Sequence, residues 1–162
     1  MGVAREYLKA AGALAIFAAV LWLAASFELV LLPSSATRMA PAVRPGTRYL
    51  LRQSSGRAEE FAHADVVFFS FIDPCGPDAR KVFASRVVGL PGERVALFEG
   101  KLVRNGKEVP EPYLVSPGCG RLEEIVIPRG HLYVLNDERA PGGDSRSLGP
   151  IPATAVLGRV RR

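Results

Sequence analysis

Two cysteines, Cys75 and Cys119, and two histidines, His63 and His131, are all that 162 residues offer a soft metal. That excludes a cysteine-rich scaffold and a four-thiolate zinc site. The histidines have no carboxylate or cysteine at ligand spacing and read as surface or strand residues, so neither a metal nor another cofactor is expected. No stretch after Phe27 keeps helical periodicity over three turns, which excludes a helical bundle. There is no internal repeat and no low-complexity linker, and the length suits one domain plus an anchor. The net charge of +5 is spread among interleaved acids, so nucleic acid is not an expected partner. A weak preference for an anionic membrane surface fits it better. Each cysteine sits in a Gly/Pro-flanked loop. In an exported domain a Cys75–Cys119 disulfide would add about 4 kcal/mol by chain entropy; two unpaired thiols are the other reading.

What the chain does have begins with Ala10 to Phe27, 18 residues without a charge. As a helix this run spans about 27 Å, enough for a bilayer core, and predicts a single transmembrane segment over 10–27. Arg5 and Lys9 precede it, which places residues 1–9 in the cytoplasm and residues 28–162 outside. A cleaved signal peptide ending near Ala24-Ala25-Ser26 is the competing reading, but apolar character resumes at Leu29 to Leu32, expected to lie at the membrane surface.

From Arg48 on the signals are strands and turns. Asp65 to Phe71 and Phe83 to Val88 are nearly continuous apolar strands, with Asp73 to Asp78 between them as a loop. Arg94 to Phe98 and Lys101 to Arg104 pair across Glu99-Gly100, and Asn105-Gly106 makes a second tight turn. Glu123 to Ile127, His131 to Leu135 and Ile151 to Val160 complete the set. The domain is therefore expected to be all-β, with coiled sheets in a sandwich or partly closed barrel.

Two blocks organise the rest: Arg38-Met39-Ala40-Pro41, and Ser85-Arg86-Val87-Val88-Gly89-Leu90-Pro91-Gly92. A late block adds Asp137, Arg139, Asp144, Ser145, Arg146 and Gly149. In this order, behind an apolar anchor and Pro33-Ser34, they resemble type I signal peptidases, the membrane-anchored serine peptidases of family S26. The resemblance covers nearly the whole chain. It implies the family's all-β fold, with 99–130 as a small variable extension, and a single-pass protein of the bacterial cytoplasmic membrane with its domain on the outer face.

The resemblance also carries a departure. The family's nucleophilic serine falls on Arg38 and its general-base lysine on Ser85. A serine–lysine dyad needs a hydroxyl and a buried, neutral amine. Arg38 has no nucleophilic oxygen, and its guanidinium stays protonated, so it is no base for Ser85 either. A serine that serves the oxyanion hole in many bacterial members falls on Ala36, a close-packed glycine on Asn136, and a lysine-orienting serine on Gly142. This is the pattern of a pseudoenzyme, so Arg38 and Ser85 are dyad-equivalent positions rather than catalytic ones. Met39, Pro41, Gly89, Pro91, Gly92, Asp137, Arg139, Asp144, Ser145 and Arg146 are motif and structural positions, with Asp144–Arg146 as an ion pair. Expected partners are membrane lipid and either a membrane protein or an extended peptide segment bound by strand addition between the Met39 block and the Ser85 strand. The alternative is an active signal peptidase with a displaced dyad, Ser35 or Thr37 with Lys81.

Overall fold

The computed structural model describes residues 2–32, 37–72, 80–118, 120–140 and 142–160. Helix α1 runs over Gly2–Ala25. It stops where the Ser26 hydroxyl donates to the Trp22 carbonyl at 2.8 Å, satisfying one of the carbonyls a helix end leaves open. The helix thus ends two residues before the expected Phe27, which opens a strand instead. Side chains within α1 are described for 12–22 and 25, and among the described residues no helix is long and apolar enough to cross a membrane.

The apolar run after the helix, expected at the membrane surface, forms strand β1 (Phe27–Leu31), which pairs antiparallel with β2 (Arg48–Gln53), with Leu29 opposite Leu50. β-Branched and apolar residues over Val66–Ile72 and Arg80–Gly89 form β3 and β4, antiparallel in register from Val66↔Arg86 to Ile72↔Arg80. The continuous apolar run of β3 has a simple cause. Val67 and Phe69 point into one core cluster and Val66 and Phe68 into another, so the strand is buried on both faces.

The hairpins follow their turn residues. β5 (Arg94–Phe98) and β6 (Lys101–Arg104) meet across Glu99 and Gly100, both at positive φ, and Asn105-Gly106 leads β6 into β7 (Lys107–Glu108). With β8 (Leu122–Val126) they form a four-stranded sheet, β7-β6-β5-β8. β9 (His131–Leu135) joins β4. The expected last strand is broken. Ile151–Pro152 forms β10 against β9, a 3-10 turn at Ala153–Ala155 redirects the chain, and Val156–Arg159 forms β11 between β2 and β3.

The large sheet has the order β1-β2-β11-β3-β4-β9-β10. Neither sheet closes on itself among the described residues, so the partly closed barrel becomes two open sheets. They share a third cluster in which Val95, Leu97 and Leu102 of the small sheet pack on Val88, Tyr133 and Leu135 of the large one. Gly89 lets them meet, because a Cβ there would lie 2.3 Å from Ile127 Cδ1 and 2.7 Å from Val95 Cγ2.

Candidate functional site

Three segments converge where β4 parts from β9. The pairing between them runs from Gly89 to Arg86, with a register shift between Val87 and Gly89, and goes no further, so among the described residues 80–85 of β4 form a ladder only with β3. The other edge of that stretch faces the turn at 38–43 and the loop 136–144.

Beneath lies a floor of buried charge. Arg86, 2% exposed, clasps the Asp137 carboxylate with Nε at 2.7 Å and Nη2 at 2.5 Å, while its Nη1 donates to the Ala64 carbonyl at 2.9 Å. Its guanidinium also stacks over the Tyr113 ring, 4.1 Å from the centroid. The Tyr113 hydroxyl donates to Glu111 at 2.9 Å, and Glu111 in turn pairs with buried Arg139, whose Nε donates to the Asn136 carbonyl at 2.9 Å. Burial and the Glu111 carboxylate push the Tyr113 phenol well above its ordinary range. A fan of charge-assisted bonds holds these ions where water cannot, with Arg139 Nη1 the buried nitrogen that finds no partner among the described residues.

The late block is equally structural. Asp144, fully buried, caps helix α2 (Ser145–Leu148) by accepting from the Arg146 amide, holds the Arg146 guanidinium at 2.7 Å and accepts the Asn136 amide at 3.1 Å. Ser145 Oγ accepts from the Val134 amide at 3.0 Å. Arg146 then donates to the carbonyls of Arg139 (2.7 Å) and Ala140 (2.9 Å), fixing the loop above the floor. Met39 is buried, with the Asp137 amide donating to its sulfur at 3.4 Å; the Ala40–Pro41 bond is cis, and Pro91-Gly92 turns β4 into β5.

Above the floor stand Arg38 and Ser85, the positions where the resemblance implies the dyad, joined through others. Ser85 is completely buried and donates to Asn136 Oδ1 at 2.7 Å. Asn136 Nδ2 donates to the Gly142 carbonyl at 3.2 Å, and Arg38 Nη1 donates to that same oxygen and to the Ala140 carbonyl at 3.3 Å. The Arg38 carbonyl accepts from the Glu138 amide at 3.0 Å. An amide oxygen is no general base and a guanidinium no acceptor, so Ser85 has no group in this network to take its proton.

The other sequence candidates fall apart from this centre. Lys81 is exposed on β4 and Thr37 is exposed before the turn, while Ser35, Cys75 and Cys119 lie outside the described residues. His63 bonds to Glu93 at 2.9 Å and His131 to the Arg129 carbonyl at 2.9 Å; among the described residues no group of three ligand-type side chains converges. Glu111 and Tyr113 are the residues that sequence reasoning missed. They sit in Glu111-Pro112-Tyr113, inside the stretch expected to be a variable extension, and nothing in those three letters marks them as partners of Arg139 and Arg86.

An open β4 edge with a buried hydroxyl, a Met-Pro turn opposite and an Arg–Asp floor defines the class of protein: a signal-peptidase-like β domain. The chain matches the family described as signal peptidase, peptidase S26, over residues 4–162, and it belongs to that family. It is 34% identical over 136 residues to Signal peptidase I V of Bacillus subtilis (strain 168), covering 75% of this chain and 77% of that protein. Over 130 residues it is 29% identical to the Synechocystis sp. Probable signal peptidase I-2, covering 80% of this chain and 59% of that one. With Thylakoidal processing peptidase 1 of Arabidopsis thaliana the identity is 28% over 165 residues, 98% of this chain but only 48% of the plant protein. A solved signal peptidase I from Enterococcus faecalis V583 shares the fold at a TM-score of 0.52 and 24% identity, covering 62% of this chain and 97% of that one.

Proposed function

We propose that this chain is a membrane-anchored member of its family that binds an extended segment of another protein beside the membrane and does not cut it. One observation carries the reading: the hydroxyl at the base position is buried and bonded to Asn136, while the nucleophile position holds a guanidinium bonded to backbone carbonyls. Neither nucleophile nor base remains at the two positions where the family resemblance puts them. Lys81, the other half of the displaced pair, is exposed on β4. Strand addition along 80–85 of β4 is the binding mode, with main-chain bonds supplying affinity. The role is that of an accessory subunit.

The membrane setting rests on 18 uncharged residues and on an exposed apolar face continuing from α1. Leu14, Ile16, Phe17, Val20, Leu21 and Trp22 of the helix are exposed, as are Leu29, Leu31 and Leu50. Arg48 and Arg52, opposite Leu31 and Phe27, suit anionic headgroups. The test uses full-length protein in lipid nanodiscs and a labelled peptide carrying an apolar preprotein segment. Saturable binding that weakens at least about tenfold in Val82→Asp, with peptide recovered intact, supports the reading; absence of binding overturns it.

A further inference from the structure

We infer that the cavity beside the end of α1 seats the headgroup of one phospholipid, of phosphoethanolamine chemistry, and so fixes the domain at the bilayer surface. This rests on the membrane setting proposed above and adds a chosen lipid to it. The cavity measures about 300 Å³ and is lined by Arg52 of β2, by Ser54, Ser55 and Glu60 after it, and by Arg159 of β11. Its place follows from the chain path. The Gln53 amide, next to Arg52, donates at 3.0 Å to the carbonyl of Ser26, where α1 stops, so the cavity lies where the helix hands over to the domain. Arg52 pairs with Phe27 across the β1–β2 ladder and shares its strand face with exposed Leu29, Leu31 and Leu50. A headgroup held there lays its acyl chains along that apolar face.

The charges select the headgroup. Arg159 and Arg52 stand directly opposite across the β11–β2 ladder, an arrangement of like charges that is unfavourable unless an anion answers it. Arg159 is answered, since its Nη1 donates to Asp65 Oδ2 at 3.1 Å and to the Glu60 carbonyl at 3.0 Å. Arg52 is exposed and meets no acid among the described residues. The Glu60 carboxylate accepts from the Ser54 hydroxyl at 3.5 Å, from the Ser55 hydroxyl and from the Ser55 amide at 3.1 Å, all neutral donors. One cavity therefore presents a guanidinium with no anion against it and a carboxylate held only by dipoles. A phosphodiester fits the planar fork of the guanidinium, and a primary ammonium a few atoms further along gives its N–H donors to the carboxylate. A choline head has no N–H to give, and a glycerol head brings no cation to Glu60.

The experiment releases full-length protein from detergent micelles that hold equal amounts of phosphatidylethanolamine, phosphatidylglycerol and phosphatidylcholine with the same acyl chains, and reads the retained lipid by native mass spectrometry. One phosphatidylethanolamine per chain is expected, held at least about tenfold more tightly than either competitor. Arg52→Gln and Glu60→Gln each abolish that preference. Arg48→Gln, the same charge on the same strand and face but outside the cavity, leaves it unchanged. All three positions are exposed, so the variants fold. Retention that does not distinguish the lipids, that favours phosphatidylglycerol, or that falls as far in Arg48→Gln as in Arg52→Gln overturns the inference. So does displacement of the lipid by inorganic phosphate as readily as by free phosphoethanolamine. A chain stripped from vesicles by alkaline carbonate would sink the membrane setting itself, whereas one that stays in the bilayer without choosing a lipid sinks this inference alone.

Discussion

The floor of the groove and its upper wall are held together in different ways. In the floor, Arg86, Asp137, Arg139, Asp144 and Arg146 are the charged letters that the family resemblance supplies, and Glu111 joins them by pairing with Arg139. In the wall, Arg38, Ser85, Asn136 and Gly142 stand where the resemblance implies other letters, and they are bonded to one another. Ions buried together hold each other in place, since losing one strands its partner without water. A hydroxyl and an amide can be exchanged into a site more easily, provided each finds a partner. On the proposed reading, buried charge holds the scaffold while the groups above it differ from the dyad the resemblance implies.

That contrast can be attacked directly. Arg86→Met strands the buried Asp137 carboxylate and is expected to cost about 3–5 kcal/mol in chemical denaturation, with Arg86→Met/Asp137→Leu recovering most of it. Ser85→Ala, in the wall, removes the donor to Asn136 Oδ1 and is expected to cost about 1–2 kcal/mol by the same assay. Equal costs for these two would erase the distinction between floor and wall.

The smallest effect falls on Tyr133, whose buried hydroxyl has no partner among the described residues. Tyr133→Phe should leave stability at neutral pH within about 0.5 kcal/mol or raise it. Burial, with the Asp144 charge adding to it, pushes this phenol up to about 12 from an ordinary value of 10.0. The folded state therefore keeps the phenolic proton longer than the unfolded chain does. Stability from this group is fully present below pH 10 and is lost as pH rises towards 12. Tyr133→Phe should flatten that part of an alkaline unfolding curve, and an unchanged slope would place the titration elsewhere.

Much of the fold was legible because it is written locally. Strand β3 follows from its apolar run and the β5–β6 hairpin from Glu99-Gly100. The Asp144–Arg146 pair lies two residues apart on one helix cap. What could not be read depends on distant neighbours. Glu111 finds Arg139 only because the loop after β7 folds back over β4, and no local pattern marks that return. Pro152 was the available signal for the break at Ala153–Ala155, since it cannot donate to a ladder, while the partner that fixes the break is distant: the Gly130 carbonyl accepts from the Ala153 amide at 2.9 Å. At the site, sequence named Arg38 and Ser85 as departures, but their connection through Asn136 and Gly142 required coordinates.

Cleavage is the most direct test of a retained scaffold without its chemistry. A model preprotein is incubated with the full-length protein in detergent, beside an active signal peptidase as control, and the products are read by mass spectrometry. The expected result is intact preprotein in the presence of this chain and complete processing in the control. Processing by this chain that disappears in Ser35→Ala or Lys81→Ala would contradict the reading and establish a displaced dyad in its place.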